Sequence, residues 1–392
     1  MPSWTKGKCI GYCLNDKKKK KLNFQGFEDL CRKRGYEVTE IDLAKPLCEQ
    51  GPFDVIIHKL SDLILESSYN SQSHQLIQDF QAYVETYPSI ILLDPLPAVR
   101  PLLDRFESYR LLQDLQYQDN CIFSPPYVEL NSGTGRDAVA QIWEHGLTFP
   151  LICKTRVAHG PSSHEMVLIF NEEGLGEVNA PCLLQSFVNH DAVLFKVFVV
   201  GSSHFVVCRP SLKNFPRGQS ARRSIFFNSH DVSKPESCSH LTELDEATLE
   251  PTPPSNSIVG RAVRGLRSAL GLSLFGVDLI VDKQTGRCMA IDVNTFPGYE
   301  GVPEFFSALL NHIEMLLESH KQVAKARVLM AEYSLHQRVL HQDVAQESTH
   351  EQAHDTGSKP PWVDSSLETP KPAPTDSSFF TLTVLPAVIS QH

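Results

Sequence analysis

Two apolar runs, Phe275-Gly276-Val277-Asp278-Leu279-Ile280-Val281 and Met289-Ala290-Ile291-Asp292-Val293-Asn294, each carry an aspartate in the middle of a strand pattern. Between them Gln284-Thr285-Gly286 reads as a three-residue hairpin turn, with the glycine at its left-handed position. That register places Asp278 directly opposite Asp292, which brings their Cβ atoms to about 4.5–5.5 Å. Asn294, two residues beyond Asp292, falls on the same strand face. Facing carboxylates repel unless a cation lies between them, and hard oxygen donors in this pattern suit magnesium carrying nucleotide phosphates. The competing account is that lysines satisfy each aspartate or that both lie at wet strand ends. Three oxygen-bearing side chains in register favour the metal.

Two further strand patterns each carry a lysine. In Leu151-Ile152-Cys153-Lys154-Thr155-Arg156 the charges Lys154 and Arg156 share a face, and in Val193-Leu194-Phe195-Lys196-Val197-Phe198 the one charge is Lys196. An ammonium buried without an anion is costly, so each needs a carboxylate or a phosphate. The loop from Arg156 to His164 contains Gly160, Pro161, Ser162 and Ser163, a composition able to cover phosphates through backbone amides, although many surface loops share it. No Walker-type glycine loop is present in the chain. The run Lys17 to Lys21 follows the first strand pattern and reads as a basic loop, either an ordinary solvated charge run or a receptor for a polyanion.

With 392 residues and 41% apolar content, the chain has room for two or three domains with real cores. A net charge of −10 argues against a general nucleic-acid binder. No run reaches the roughly 18 apolar residues of a membrane span and no signal sequence is recognisable, so a soluble cytoplasmic protein is expected. The ten cysteines show no Cys-x-x-Cys pair and read as reduced thiols, most of them in apolar runs such as those around Cys153, Cys182 and Cys208. Strand and helix patterns alternate through the first ninety or so residues, which predicts a small open parallel α/β sheet. Closely spaced strands with a hairpin at Gly201-Ser202-Ser203 then predict α+β lobes. A helix is expected over about 303–317, and beyond about Lys325 the Gln, His, Ser, Thr and Pro content predicts a disordered or weakly helical tail.

Several ordered stretches together resemble the inositol-tetrakisphosphate 1-kinase family, also called the inositol trisphosphate 5/6-kinases. They are Val55-Ile56-Ile57-His58-Lys59-Leu60-Ser61-Asp62, Leu93-Asp94-Pro95-Leu96-Pro97, Ile152-Cys153-Lys154-Thr155-Arg156 and Arg209-Pro210-Ser211-Leu212-Lys213-Asn214. Ser224 to His230 and Ile291-Asp292-Val293-Asn294-Thr295-Phe296-Pro297-Gly298-Tyr299 complete the set. The likeness runs from about Gly7 to His320 and looks strongest to vertebrate members. It implies an ATP-grasp fold: an N-terminal α/β domain over 1–94, a central lobe over 95–190, a C-terminal lobe over 191–325 and a disordered tail over 326–392.

The resemblance also implies roles. Asp278, Asp292 and Asn294 match magnesium ligands, with two ions expected, and Lys154, Lys196 and Asp292 match the catalytic positions. Arg105, Lys154, Gln185, Val188, Lys196, Ser211, Ser229 and Ser233 match ATP-contacting positions. Lys18, His164, Lys196, Asn294 and Gly298 match acceptor-contacting ones, with Lys59 and Arg209 as additions. The implied activity is ATP-dependent, reversible phosphorylation of inositol 1,3,4-trisphosphate at the 5- or 6-position and of inositol 3,4,5,6-tetrakisphosphate at the 1-position, by a monomer. An ATP-grasp carboxylate–amine ligase would share the metal and nucleotide residues, and a non-catalytic scaffold would share the acceptor residues. The basic acceptor positions argue against the first, and intact Asp278, Asp292 and Lys154 argue against the second.

Overall fold

Short runs rich in Val, Ile and Leu form four parallel strands at the start of the chain: β1 (Cys9–Cys13), β2 (Glu37–Glu40), β3 (Val55–His58) and β4 (Ile91–Leu93), ordered β2-β1-β3-β4. Val55, Ile56 and Ile57 are fully buried, as a parallel sheet covered on both faces requires. The structure is a computed structural model that describes residues 8–119, 122–243 and 252–351.

Two antiparallel sheets follow. Strands β5 (Tyr127–Leu130), β6 (Leu151–Thr155), β7 (Glu165–Ile169), β8 (Cys182–Ser186) and β11 (Ile225–Asn228) make a five-stranded sheet ordered β11-β7-β6-β8-β5. Strands β9 (Val193–Val200), β10 (Ser203–Pro210), β12 (Leu274–Val281) and β13 (Cys288–Thr295) make the other, ordered β10-β9-β12-β13. The β9–β10 hairpin turns at Gly201, whose φ of +58° is left-handed and whose missing Cβ leaves room for the His312 ring.

The cores divide unevenly. Ile56 and Phe80 of the N-terminal part share one apolar cluster with Val197, Val199, Phe275 and Val277 of the β10-β9-β12-β13 sheet. The five-stranded sheet keeps its own cluster, around Phe149, Leu151, Ile169, Leu175 and Leu184. Polar groups reinforce the first union. The Asp94 carboxylate, just after β4, accepts from the backbone amides of Ser273 and Leu274 at 2.8 Å each, at the start of β12.

Four expectations need amendment. The β12–β13 turn is longer than three residues: Asp282 and Arg287 pair across it through Asp282 N–H to Arg287 O (2.9 Å), leaving 283–286 as the loop with Gly286 left-handed. A bulge between Asp278 and Leu279 on one side, and Asp292 and Ala290 on the other, absorbs the extra residue at Ile291. Asp278 therefore still opposes Asp292. The lysine run is a helix, Asp16–Leu22, and not a loop. Asn15 caps it by accepting from Lys18 N–H (2.8 Å), and left-handed Asn23 ends it. The last helix runs Phe305–Glu351, well past 317, because no glycine or proline interrupts the sequence between Pro303 and Gly357. Cys208 is exposed, on edge strand β10, whereas Cys153 and Cys182 are buried.

The chain divides into two compact units, 1–324 and 325–392; within the second, the described part is helical to Glu351 and the expected tail over 352–392 lies outside the described residues. Replacing Asp94 tests the bond between the N-terminal sheet and β12. Asp94→Ala strands two buried amides and should cost at least about 2 kcal/mol in urea unfolding, with Asp94→Asn losing less because it keeps one acceptor.

Candidate functional site

Lys154 on β6 is 5% exposed, and its ammonium donates to the Tyr109 hydroxyl (2.7 Å) and to the Ile291 carbonyl (2.8 Å). The Tyr109 hydroxyl, from the helix Arg105–Asp119, lies 2.7 Å from Gln185 Oε1 and 2.5 Å from the same Ile291 carbonyl. Lys154 thus meets neutral oxygens, not a carboxylate. Burial pushes its pKa down to about 8, against the pull of nearby Asp292.

Across the bulge, Asp278 faces Asp292 on one side of its strand and Lys196 of β9 on the other. The Lys196 ammonium is 2.8 and 3.1 Å from the two Asp278 oxygens, and the Asn294 amide donates to Asp292 Oδ2 at 3.2 Å. Burial raises the Asp278 pKa, Lys196 lowers it, and the Asp292 charge raises it further. Lysine satisfaction of Asp278, the bland alternative, is therefore present in the structure. It accounts for one of the two carboxylates.

Beyond β8, Val188 packs with Leu194, Ile280, Met289 and Ile291. The buried His190 ring links its Nδ1 to the Val188 carbonyl (2.6 Å) and its Nε2 to Ser211 Oγ (2.7 Å), so Val188 and Ser211 are held by one imidazole. Arg105 is 2% exposed and spends its guanidinium on protein carbonyls, Thr155 O (2.5 Å), Val157 O (3.4 Å) and Ser163 O (2.8 Å). It staples the loop after β6 through these carbonyls, while its buried Nε has no partner among the described residues. That loop ends at His164, whose ring lies 3.8 Å from that of His230 and 3.4 Å (Nδ1) from Ser229 Oγ. Ser233 ends the short helix Ser229–Ser233. Burial first, then His230, drives the His164 pKa down to about 4, so the ring is neutral.

Around Gly298 the cations gather. Lys18 donates to the Phe296 (2.6 Å) and Pro297 (2.5 Å) carbonyls, and Lys59 donates to the Thr295 carbonyl (2.6 Å) and hydroxyl (2.8 Å). Burial lowers both pKa values, that of Lys59 to about 8. Arg209 Nη2 holds the Glu300 carbonyl at 2.7 Å. Outside the carboxyl ends of β1–β3, where an open α/β sheet commonly binds ligands, lies a crevice of about 600 Å³. Glu40, Asp42 and Asp62 line it with Lys59 as the one cation among them, a net acidic lining that suits a polyanion poorly.

Comparison with known proteins reads this arrangement. Residues 116–315 match the inositol 1,3,4-trisphosphate 5/6-kinase ATP-grasp domain, and residues 9–99 match the pre-ATP-grasp domain of the same enzymes. The chain is 54% identical over 343 residues to an inositol-tetrakisphosphate 1-kinase of Xenopus laevis, covering 86% of this chain and 87% of that one. The chain belongs to this kinase family. An inositol-tetrakisphosphate 1-kinase of Danio rerio is 53% identical over 321 residues, 81% of each chain. Among solved structures, D-cycloserine synthetase DcsG superposes with a TM-score of 0.51 at 14% identity, over 79% of this chain and 99% of that one, a likeness of fold alone.

Within this kinase-family chain, the geometry joins Lys154, Gln185, Lys196, Asp278, Asp292 and Asn294 through direct bonds or strand register, and gathers Lys18 and Lys59 on the Thr295–Gly298 segment. Tyr109, His190 and His230 carry no sequence signal that would single them out. A tyrosine or histidine in a helical or loop pattern looks like any other. The depressed pKa of Lys154 has a measurable consequence. Polyphosphate binds the ammonium form, so nucleotide affinity should fall as pH rises through about 8, with proton uptake on binding. Calorimetry in buffers of different ionisation enthalpy should show that uptake, and Lys154→Met should abolish it.

Proposed function

We propose that this chain transfers the γ-phosphate of ATP to ring hydroxyls of inositol polyphosphates: inositol 1,3,4-trisphosphate at the 5- or 6-position, and inositol 3,4,5,6-tetrakisphosphate at the 1-position. The observation that carries the reading is likeness to the Xenopus laevis inositol-tetrakisphosphate 1-kinase, 54% identical over 86% of this chain. The site supports it independently, because three cations (Lys18, Lys59 and Arg209) hold the segment that follows the paired carboxylates, and a fourth, Lys196, is bonded to Asp278 itself. A ligase joining a carboxylate to an amine has no use for such a set. Among the described residues no helix is long and apolar enough to cross a membrane; a monomeric cytoplasmic enzyme is part of the proposal. The division into domains at 94, 190 and 325 belongs to the same proposal.

The donor set fits magnesium. Asp278 is buried opposite Asp292, with one ammonium directly bonded to the pair, and the Asn294 amide is within hydrogen-bond reach of Asp292. Asp278, Asp292 and Asn294 would hold the metal, two ions in all, which when bound supplies positive charge to the nucleotide phosphates. The remaining work falls to the protein. Lys154, fixed by Tyr109 and Ile291, neutralises nucleotide phosphate charge. Gln185 and Val188, with Ser211 held by His190, border the base and ribose. Arg105 keeps the loop from 156 to 164 closed over the phosphates, beside Ser229 and Ser233. Lys18, Lys59, His164 and Gly298 orient the acceptor ring, and Lys196 stands between donor and acceptor. The acceptor hydroxyl oxygen bonds to the γ-phosphorus as the bond to the ADP oxygen breaks, and the hydroxyl proton leaves to solvent. Positioning and charge stabilisation suffice, with no covalent enzyme intermediate.

Incubation of the purified chain with ATP, magnesium and a panel of inositol phosphates, followed by anion-exchange separation, should yield products carrying one more phosphate. No phosphorylated product from any member of the panel defeats the proposal. Asp292→Ala should abolish transfer with an unchanged melting temperature, since the carboxylate is a ligand group and not core packing. Near-normal turnover by that folded variant at saturating magnesium would remove Asp292 from the metal site.

A further inference from the structure

Glu300 lies where a carboxylate is least expected in a polyanion receptor. Its Oε1 is 2.5 Å from the Lys21 ammonium. A Cβ placed on Gly298 would run into both of its carboxylate oxygens, so the carboxylate lies directly against the Gly298 backbone. Arg209 fixes the Glu300 carbonyl at 2.7 Å, which anchors the backbone while the side chain stays 42% exposed. Burial raises the carboxyl pKa, yet Lys21, the residue's own backbone N–H and then Lys18 outweigh it and lower it overall.

Lys21 and Lys18 act directly on this carboxylate, and further lysines stand on neighbouring elements. Lys17, Lys18 and Lys21 come from the helix Asp16–Leu22, and Lys196 comes from β9. His230 stands on the short helix after β11, its ring against that of His164. The electrostatic neighbours of His230 are Lys21, Lys196 and Lys17, with Glu300 as their counter-charge. Lysines from two elements therefore act on the His230 ring, Lys21 bonded to Glu300 and Lys196 bonded to Asp278.

We propose that Lys21, His230 and the Gly298 backbone form a phosphate subsite of the acceptor pocket, one that the Glu300 carboxylate fills when no acceptor phosphate does. The inference rests on the kinase reading and deepens it, by naming which acceptors are favoured. A ring phosphate carries more charge and more acceptor oxygens than a carboxylate, so it takes Lys21 from Glu300 and meets the neighbouring His230 ring, while the carboxylate swings outward to solvent. A ring with only a hydroxyl at that position cannot displace the carboxylate and meets its charge instead. Glu300 thus acts as a specificity filter for rings phosphorylated at this subsite.

Isothermal titration of the full chain with inositol 3,4,5,6-tetrakisphosphate and, separately, with magnesium and a non-hydrolysable ATP analogue tests this. Glu300→Gln should tighten the tetrakisphosphate roughly three- to tenfold and leave the nucleotide unchanged, whereas Lys21→Ala should weaken the tetrakisphosphate about tenfold. Lys20→Ala and Glu304→Gln, exposed charges on neighbouring segments, measure the long-range charge background and should each move affinity far less. Combined with Glu300→Gln, Lys21→Ala should show clear coupling in binding, which an ordinary surface ion pair would not carry into ligand affinity. If the wild type binds the tetrakisphosphate and Glu300→Gln binds it no better, or gains equally for nucleotide, the subsite is wrong and the kinase reading stands. If the wild type neither binds nor phosphorylates any inositol phosphate, both fall.

Discussion

One backbone carbonyl holds the middle of this molecule together. Ile291 is the extra residue of the β12–β13 bulge, and its carbonyl accepts from Lys154 of the five-stranded sheet while lying 2.5 Å from the Tyr109 hydroxyl. In an unbroken ladder that oxygen would be committed to a neighbouring strand; the bulge turns it toward another sheet. The same irregularity keeps Asp278 opposite Asp292 despite the longer turn. Register of the carboxylates and placement of Lys154 therefore share a single cause, and Gln185 enters through Tyr109.

The buried lysines follow a common rule. Lys18, Lys59 and Lys154 are each held by carbonyl or hydroxyl oxygens, not by carboxylates, and each has a depressed pKa from burial. Neutral oxygens satisfy the N–H donors without cancelling the charge. Such ammonium groups are poised for an anion that the fold itself withholds, and a polyphosphate would restore their ordinary basicity. Lys196 differs, because it already has Asp278.

Much of this was legible in residue order, for definite reasons. Alternation of apolar runs disclosed the parallel sheet, and the need to balance buried charge disclosed Lys154, Lys196 and the carboxylate pair. The bulge was not legible: Ala290 and Ile291 look alike in a strand pattern, and the register came out right because a longer turn and a bulge offset one another. The lysine run resisted as well. Five like charges suggest a solvated loop, yet Asn15 and Asn23 cap them into a helix that buries Lys18. Arg105 could be assigned to the nucleotide site by likeness, but its contacts with Thr155, Val157 and Ser163 are visible only in three dimensions.

The uneven division of the cores reaches beyond the site. The N-terminal sheet and the β10-β9-β12-β13 sheet share one apolar cluster, whereas the five-stranded sheet has separate clusters on its faces and meets the rest through polar contacts and two small clusters, one around Val188 and one of Phe106, Tyr109 and Leu183. Amide protons of β6, β7 and β8 should therefore exchange with solvent as one cooperative group, and those of β3, β9 and β12 as a second, more protected one. With nucleotide bound as proposed beside Lys154 and Val188, it would act as mortar between two blocks of masonry that are cut separately.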